Sequence, residues 1–246
     1  MKIEKRAEII KNWIDDYCNN ATFSASSLIV GISGGIDSAV VSTLCALTGR
    51  KTIVLSMPIN QIKFQHDLSL KHGEWLKSNF KNVEFKLIEM EKIFNSFKET
   101  LNNFDSEHGL ANSRARLRMS VLYQVAASNS GIVVGTGNKV EDFGIGFYTK
   151  YGDGGVDISP IADCYKSEVW ELGKHLGVLK EIVEANPTDG LWDDGRNDEE
   201  QLGMTYSELE KAMKDKKDIN HHKYLEIRKK NIHKMNPIPV CKFDDV

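Results

Sequence analysis

Short apolar runs alternate with stretches of helical periodicity through the first half of this chain, and that alternation admits few folds. Residues 28–31, 52–57, 83–88 and 131–134 are runs of the strand type. Between them, in 39–49, 66–79, 90–103 and 110–128, apolar positions recur every three or four residues, as on one face of a helix. A further helix is expected at the start, where Ile3, Ala7, Ile10, Ile14 and Tyr17 share a face. Strands that are apolar without interruption have both faces covered, so the pattern predicts an α/β fold with a doubly wound parallel sheet flanked by helices. No internal repeat and no long linker interrupts the 246 residues, so one domain over 1–246 is expected. Beyond 134 the texture changes. Residues 135–160 are rich in Gly and Asp, 166–176 reads as a helix, 186–203 as a polar, acidic mobile loop, and 205–215 and 219–234 as closing helices.

Composition narrows the partners. Thirty-two Lys and Arg against 35 Asp and Glu leave a net charge of -3, which lacks the basic excess that nucleic-acid binding usually requires. The four cysteines, Cys18, Cys45, Cys164 and Cys241, are far apart and form no C-x-x-C pair, so neither a zinc knuckle nor a disulfide framework is expected. No apolar run reaches the roughly 18 residues of a membrane span, and the charged start carries no targeting signal. The expectation is a cytoplasmic protein that binds neither membrane nor nucleic acid.

Chemistry concentrates first at Gly31-Ile32-Ser33-Gly34-Gly35-Ile36-Asp37-Ser38, between a strand and a helix. Backbone N–H groups and the positive helix end can converge there on an anion, which suits phosphate. The alternative is a glycine turn whose Ser33 or Asp37 caps the helix. Neither G-x-x-x-x-G-K-[ST] nor G-x-G-x-x-G occurs, against a P-loop kinase and a dinucleotide-binding dehydrogenase. The segment resembles the S-G-G-x-D-S loop of the ATP pyrophosphatase (PP-loop) superfamily, which binds ATP with its pyrophosphate in this turn and transfers AMP. The loop has no lysine, and Asp37 is suited to a magnesium ion, a hard cation that takes oxygen ligands.

Two later segments, Gly135-Thr136-Gly137-Asn138-Lys139-Val140-Glu141 and Gly146-Phe147-Tyr148-Thr149-Lys150-Tyr151-Gly152-Asp153-Gly154-Gly155-Val156-Asp157, resemble the ammonia-dependent NAD synthetases, over essentially the whole chain. The resemblance implies an adenine nucleotide alpha hydrolase-like fold, ATP as co-substrate, Mg2+, and a homodimer. It implies ATP contacts at the 31–38 loop, Thr136, Lys166 and Thr188, and metal ligation by Asp37 and Glu141. For deamido-NAD it implies Arg116, in the match Asn112 to Arg116, with Lys150, Asp157, His233 and Lys234. Asp153, near the carboxyl under attack, would orient ammonia or accept its proton, with turn formation as its alternative role. For His233 and Lys234 the alternative is a solvated helix end, and Arg114 and Arg118 read as surface or dimer residues. The segment Glu141 to Gly146 is one residue longer than in many relatives. Residues 59–68 depart from the family's Q-x-D-E-x-D-A, so adenine and ribose contacts go unassigned there.

The implied reaction has two steps. The nicotinate carboxylate of deamido-NAD attacks the α-phosphorus of ATP, with magnesium and Lys166 stabilising the leaving pyrophosphate; ammonia then displaces AMP to give NAD. No amidase segment is evident, so free or partner-delivered ammonia is the expected nitrogen source. A tRNA-modifying superfamily member, a base-aminating enzyme and a non-catalytic nucleotide sensor are the rivals; the first is expected to have a basic surface or cysteine pairs, and this chain has neither, while the second would share the chemistry but not GFYTKYGDGG.

Overall fold

The computed structural model describes residues 1–23, 25–187 and 198–243. Helix α1 (Ile3–Asn20) precedes three strand–helix units: β1 (Ser27–Gly31) with α2 (Ile36–Leu47), β2 (Lys51–Ser56) with α3 (Lys63–Asn79), and β3 (Val83–Leu87) with α4 (Glu91–Thr100). Helix α5 (Glu107–Ser128) leads into β4 (Gly131–Val133). A π turn (Glu141–Ile145) and the helices α6 (Lys166–His175), α7 (Lys180–Val183), α8 (Asp198–Leu202), α9 (Tyr206–Lys214) and α10 (His221–Met235) complete the order.

The four strands are parallel in the order β3-β2-β1-β4. Side chains alternate across the sheet, as the pleat demands. Leu28, Val30, Val54 and Ile132 pack with α1, α2 and α6, while Ile29, Ile53, Leu55 and Val133 pack with α4 and α5 on the opposite face. Both faces are covered, so the doubly wound expectation holds. The exception is β3, read from sequence as one strand of the covered sheet: only Val83 is buried, and Glu84, Lys86 and Leu87 are exposed. It lies at the sheet's edge, where charges block pairing with another chain. A third cluster joins Val140 and Ile145 of the π-turn region to Leu202, Tyr206 and Leu209.

The strand order reverses between β1 and β4. Loops leaving those two C-terminal ends diverge, and such a switch point opens a crevice where α/β proteins seat ligands. Part of the expected mobile loop is instead helical, namely α8; residues 188–197 lie outside the described residues. The cysteines are all free, with Cys18, Cys45 and Cys164 buried and Cys241 exposed. Among the described residues no helix is long and apolar enough to cross a membrane.

Candidate functional site

The loop after β1 is braced by its own serines. Ser38 Oγ accepts from Ser33 N at 3.2 Å and donates to Gly35 O at 3.0 Å, while Ser33 Oγ accepts from Gly35 N at 3.2 Å. Gly34 has φ +90°, and a Cβ there would stand 2.5 Å from Gln65 O, so both backbone conformation and space require glycine. The first N–H groups of α2 have no acceptor within the helix and are open to an anion. The Asp37 side chain does not cap this helix; it turns across to the loop after β4.

Asp37 Oδ1 accepts from Asn138 Nδ2 at 3.0 Å, and Oδ2 from Lys166 Nζ at 2.5 Å. The same ammonium donates to Glu141 Oε1 at 2.8 Å. Lys166, the first residue of α6, is 2% exposed. Burial opposes its charge, but the Asp37 and Glu141 carboxylates outweigh burial and hold the ammonium protonated, its pKa raised. Burial pushes the Glu141 carboxyl up and Lys166 pulls it down; the net displacement is upward, with the Asp37 charge adding to it. Tyr206 donates its hydroxyl to the same Glu141 Oε1, and Asp198 Oδ2 lies 3.1 Å from that hydroxyl. Burial first, then the Glu141 and Asp198 charges, drive the phenol's pKa far upward, so Tyr206 is a neutral donor.

The segment between Glu141 and Gly146 does not continue as an α-helix. Residues 141–145 form a π turn closed by Gly146 in the left-handed region at φ +69°, and such single π turns are frequent at functional sites. Helix α10 binds its carbonyls in a ladder. Arg228 Nη1 donates to Phe143 O at 2.5 Å and also to Gly144 O, Asn231 Nδ2 to Ile145 O at 3.0 Å, and Lys234 Nζ to Gly146 O and Tyr148 O at 2.9 Å each. Asp142 tucks under Gly137, where a Cβ would lie 2.0 Å from its carboxylate. Burial, then the charges of Asp153, Glu141 and Asp37, raise the Asp142 carboxyl well above its usual range.

These groups surround one cavity of about 570 Å³ at the crevice, within the usual size of small-molecule sites. The whole 31–38 loop, Thr136, Glu141, Asp153 and Lys166 line it; Thr188 lies outside the described residues. Arg116, Lys150, Asp157, His233 and Lys234 do not line it. Three of them are joined to one another instead: Arg116 Nε donates to Lys150 O and Lys150 Nζ to His233 O, both at 3.3 Å. Asp157 accepts from Val133 N at 2.7 Å and Tyr123 Oη at 3.1 Å; burial and this carboxylate push the Tyr123 phenol up to about 12. Asp153 Oδ1 accepts from Thr149 N at 2.9 Å, so the turn role and cavity exposure coexist.

Two arginines correct the sequence reading. Arg114 is buried with its guanidinium 5.0 Å from the Phe94 ring centroid, not at the surface. Arg118 lines the cavity, donating Nε to Met57 O and Nη2 to Gln61 Oε1, both at 2.9 Å. Sequence reasoning also passed over Asn138, whose Oδ1 accepts from Val140 N at 2.9 Å and Glu141 N at 3.0 Å while its amide holds Asp37. A polar residue at a strand end between two glycine-bearing turns and a carboxylate was the available signal. For Tyr206 the signal was Thr205-x-x-Glu208, a capping box that opens a helix at that point.

Residues 6–239 match the family pattern described as NAD synthase. The NH3-dependent NAD+ synthetase of Archaeoglobus fulgidus is 35% identical, over 100% of both chains. Among solved structures, the NMN synthetase of Francisella tularensis superposes with a TM-score of 0.89 at 31% identity, over 99% of this chain and 100% of its own. The NH3-dependent NAD synthetase of Campylobacter jejuni superposes at 0.78 with 27% identity, over 98% and 100%.

Proposed function

The chain belongs to the NAD synthase family and is an ATP-using, ammonia-dependent ligase that forms NAD, and from that premise we propose how its residues divide the work. The observation that carries the assignment is the cluster of Asp37, Glu141 and Lys166 beside the glycine loop, in one cavity at the sheet's switch point. The loop N–H groups and the α2 terminus receive the pyrophosphate of ATP. Thr136 and Thr188 contact the nucleotide, and Lys166 neutralises charge that grows on the leaving oxygens.

Among the described residues no group of three or more His, Cys, Asp or Glu could hold a metal by itself. Magnesium commonly takes only one or two carboxylates and completes its shell with substrate phosphates. Asp37 and Glu141 fit that pattern, because their oxygens already converge on a single positive charge, that of Lys166. Magnesium held there would supply charge neutralisation to the triphosphate.

A carboxylate is a poor acylating agent until its oxygen is made a leaving group. The nicotinate carboxylate of deamido-NAD therefore attacks the α-phosphorus, releasing pyrophosphate; ammonia then adds to the acyl carbon, AMP departs, and one proton is lost. Asp153, at the cavity wall, orients ammonia or takes that proton. Arg116, Lys150, Asp157, His233 and Lys234, outside the lining of that cavity, serve the deamido-NAD side. We assign residues 1–246 to one synthetase domain, acting as a homodimer in the cytoplasm. Buried thiols and the -3 charge support a reducing compartment and no nucleic-acid partner.

A second reading, amidation of the mononucleotide to give NMN, is favoured by the full-length superposition on the Francisella enzyme. The bond made is the same and only the substrate is shorter. Mass spectrometry of the protein with ATP, Mg2+ and ammonium, plus deamido-NAD or nicotinate mononucleotide, decides between them. NAD and AMP are expected, with the higher kcat/KM for deamido-NAD; a higher kcat/KM for nicotinate mononucleotide would favour the second reading, and neither product would refute both.

A further inference from the structure

We propose that Tyr206 is a positioning residue for the adenylation step, the neutral donor that keeps the Glu141 carboxylate aimed into the cavity while Lys166 turns to the departing phosphates. The inference rests on the division of labour given above.

Glu141 needs an external anchor. It begins a π turn that contains Gly144 and ends at Gly146, so its backbone alone constrains a three-torsion side chain weakly. Two donors hold the carboxylate, Lys166 and Tyr206, and both choose Oε1. Oε2 has no hydrogen-bond partner among the described residues. The two donors are not equivalent. Lys166 is shared with Asp37 and carries the charge that leaving pyrophosphate attracts, so it cannot be the permanent support of Glu141. Tyr206 bears no charge, and its ring is fixed on two sides. Trp170 packs edge-on at 5.8 Å and 85°, and the Lys166 ammonium lies 5.0 Å from the ring centroid. At 2% exposure Tyr206 cannot turn its hydroxyl to solvent.

The placement also joins separate parts of the chain. Tyr206 opens α9, its backbone N–H donates to Glu199 Oε1 at 2.9 Å, and its hydroxyl meets Asp198. Both acidic residues belong to α8. The start of the C-terminal helical cluster is thereby bonded directly to a carboxylate of the β4 side.

Tyr206→Phe keeps the ring and removes only the hydroxyl. Expected are a melting temperature within about 5 °C of wild type, a kcat lowered roughly 10- to 100-fold with KM for ATP changed less than about threefold, and Mn2+ affinity, titrated calorimetrically with a non-hydrolysable ATP analogue, weakened about tenfold, as for the partners of metal ligands. In a Glu141→Gln background the hydroxyl should no longer matter, so adding Tyr206→Phe should leave Mn2+ affinity unchanged. Tyr206→p-aminophenylalanine restores an N–H donor and should return kcat to within about threefold of wild type, following the same logic of supporting partners. Wild-type kcat and Mn2+ affinity in Tyr206→Phe would overturn the proposal, as would additive losses in the double variant or no rescue by the amine. If the Phe variant does not fold, the amine variant decides alone: near-wild-type kcat supports the role and its loss overturns it. A wild-type chain that makes neither NAD nor NMN would instead refute the parent reading.

Discussion

Lys166 sits between two carboxylates, and the three charges do not contribute symmetrically. Removing Asp37 or Glu141 leaves the buried ammonium one partner, whereas removing Lys166 leaves two neighbouring carboxylates, 17% and 14% exposed, without a counter-ion. Asp37→Asn and Glu141→Gln are therefore expected to abolish turnover with little loss of stability, while Lys166→Met should cost about 3–5 kcal/mol as well. Urea unfolding of the three variants, run beside the activity assay, checks that order. The acidic and basic members of this cluster were legible because they sit in local motifs. Asn138 and Tyr206 were not, since neither side chain's meaning is local. Asn138 matters because Asp37, 101 positions away, needs an amide, and Tyr206 because Glu141, 65 positions away, needs a hydroxyl.

Helix α9 is capped by Thr205, whose Oγ1 accepts from Glu208 N while Glu208 Oε2 accepts from Thr205 N at 2.8 Å. Loss of such a cap usually costs about 1 kcal/mol. Thr205→Ala should lower stability by that amount and raise hydrogen exchange in the first turn of α9; equal protection in both proteins would contradict it. At this scale the long helices and the strands were legible, because 3.6-residue periodicity needs several turns to declare itself. Helices α7 and α8, at 4 and 5 residues, are too short to carry a period. The π turn has no period of its own to show in the sequence. Its stability comes from α10, roughly 85 positions on, through Arg228, Asn231 and Lys234. The edge position of β3 is likewise a property of strand order, which Val83-Glu84-Phe85-Lys86-Leu87 hints at only through its charges.

For the molecule as a whole, acid tolerance depends in part on His72. Its ring is 1% exposed, hydrogen-bonded to Ser42 Oγ at 2.9 Å and stacked on Trp75 at 5.5 Å. Burial lowers its pKa from 6.5 to about 4 in the fold. Between those values the unfolded chain binds more protons than the native one, so this contribution to stability is intact above pH 6.5 and is lost as pH falls toward 4. At pH 5 the loss amounts to about 2 kcal/mol. His72→Gln should therefore be the less stable protein at pH 7.5, yet should lose about 2 kcal/mol less than wild type between pH 7.5 and 5 in urea titrations. Parallel pH profiles would contradict this. The doubly wound architecture was readable from alternation alone, whereas the diverging loops of β1 and β4 depend on a strand order that no local pattern encodes.

The unequal burial of the four thiols has a practical corollary. Burial raises the pKa of Cys18, Cys45 and Cys164 and withholds their thiolates, while Cys241 stands in water beyond α10. A maleimide dye would therefore label the untouched wild-type sequence at a single point near its C-terminal end, giving a fluorescent reporter without prior removal of any cysteine.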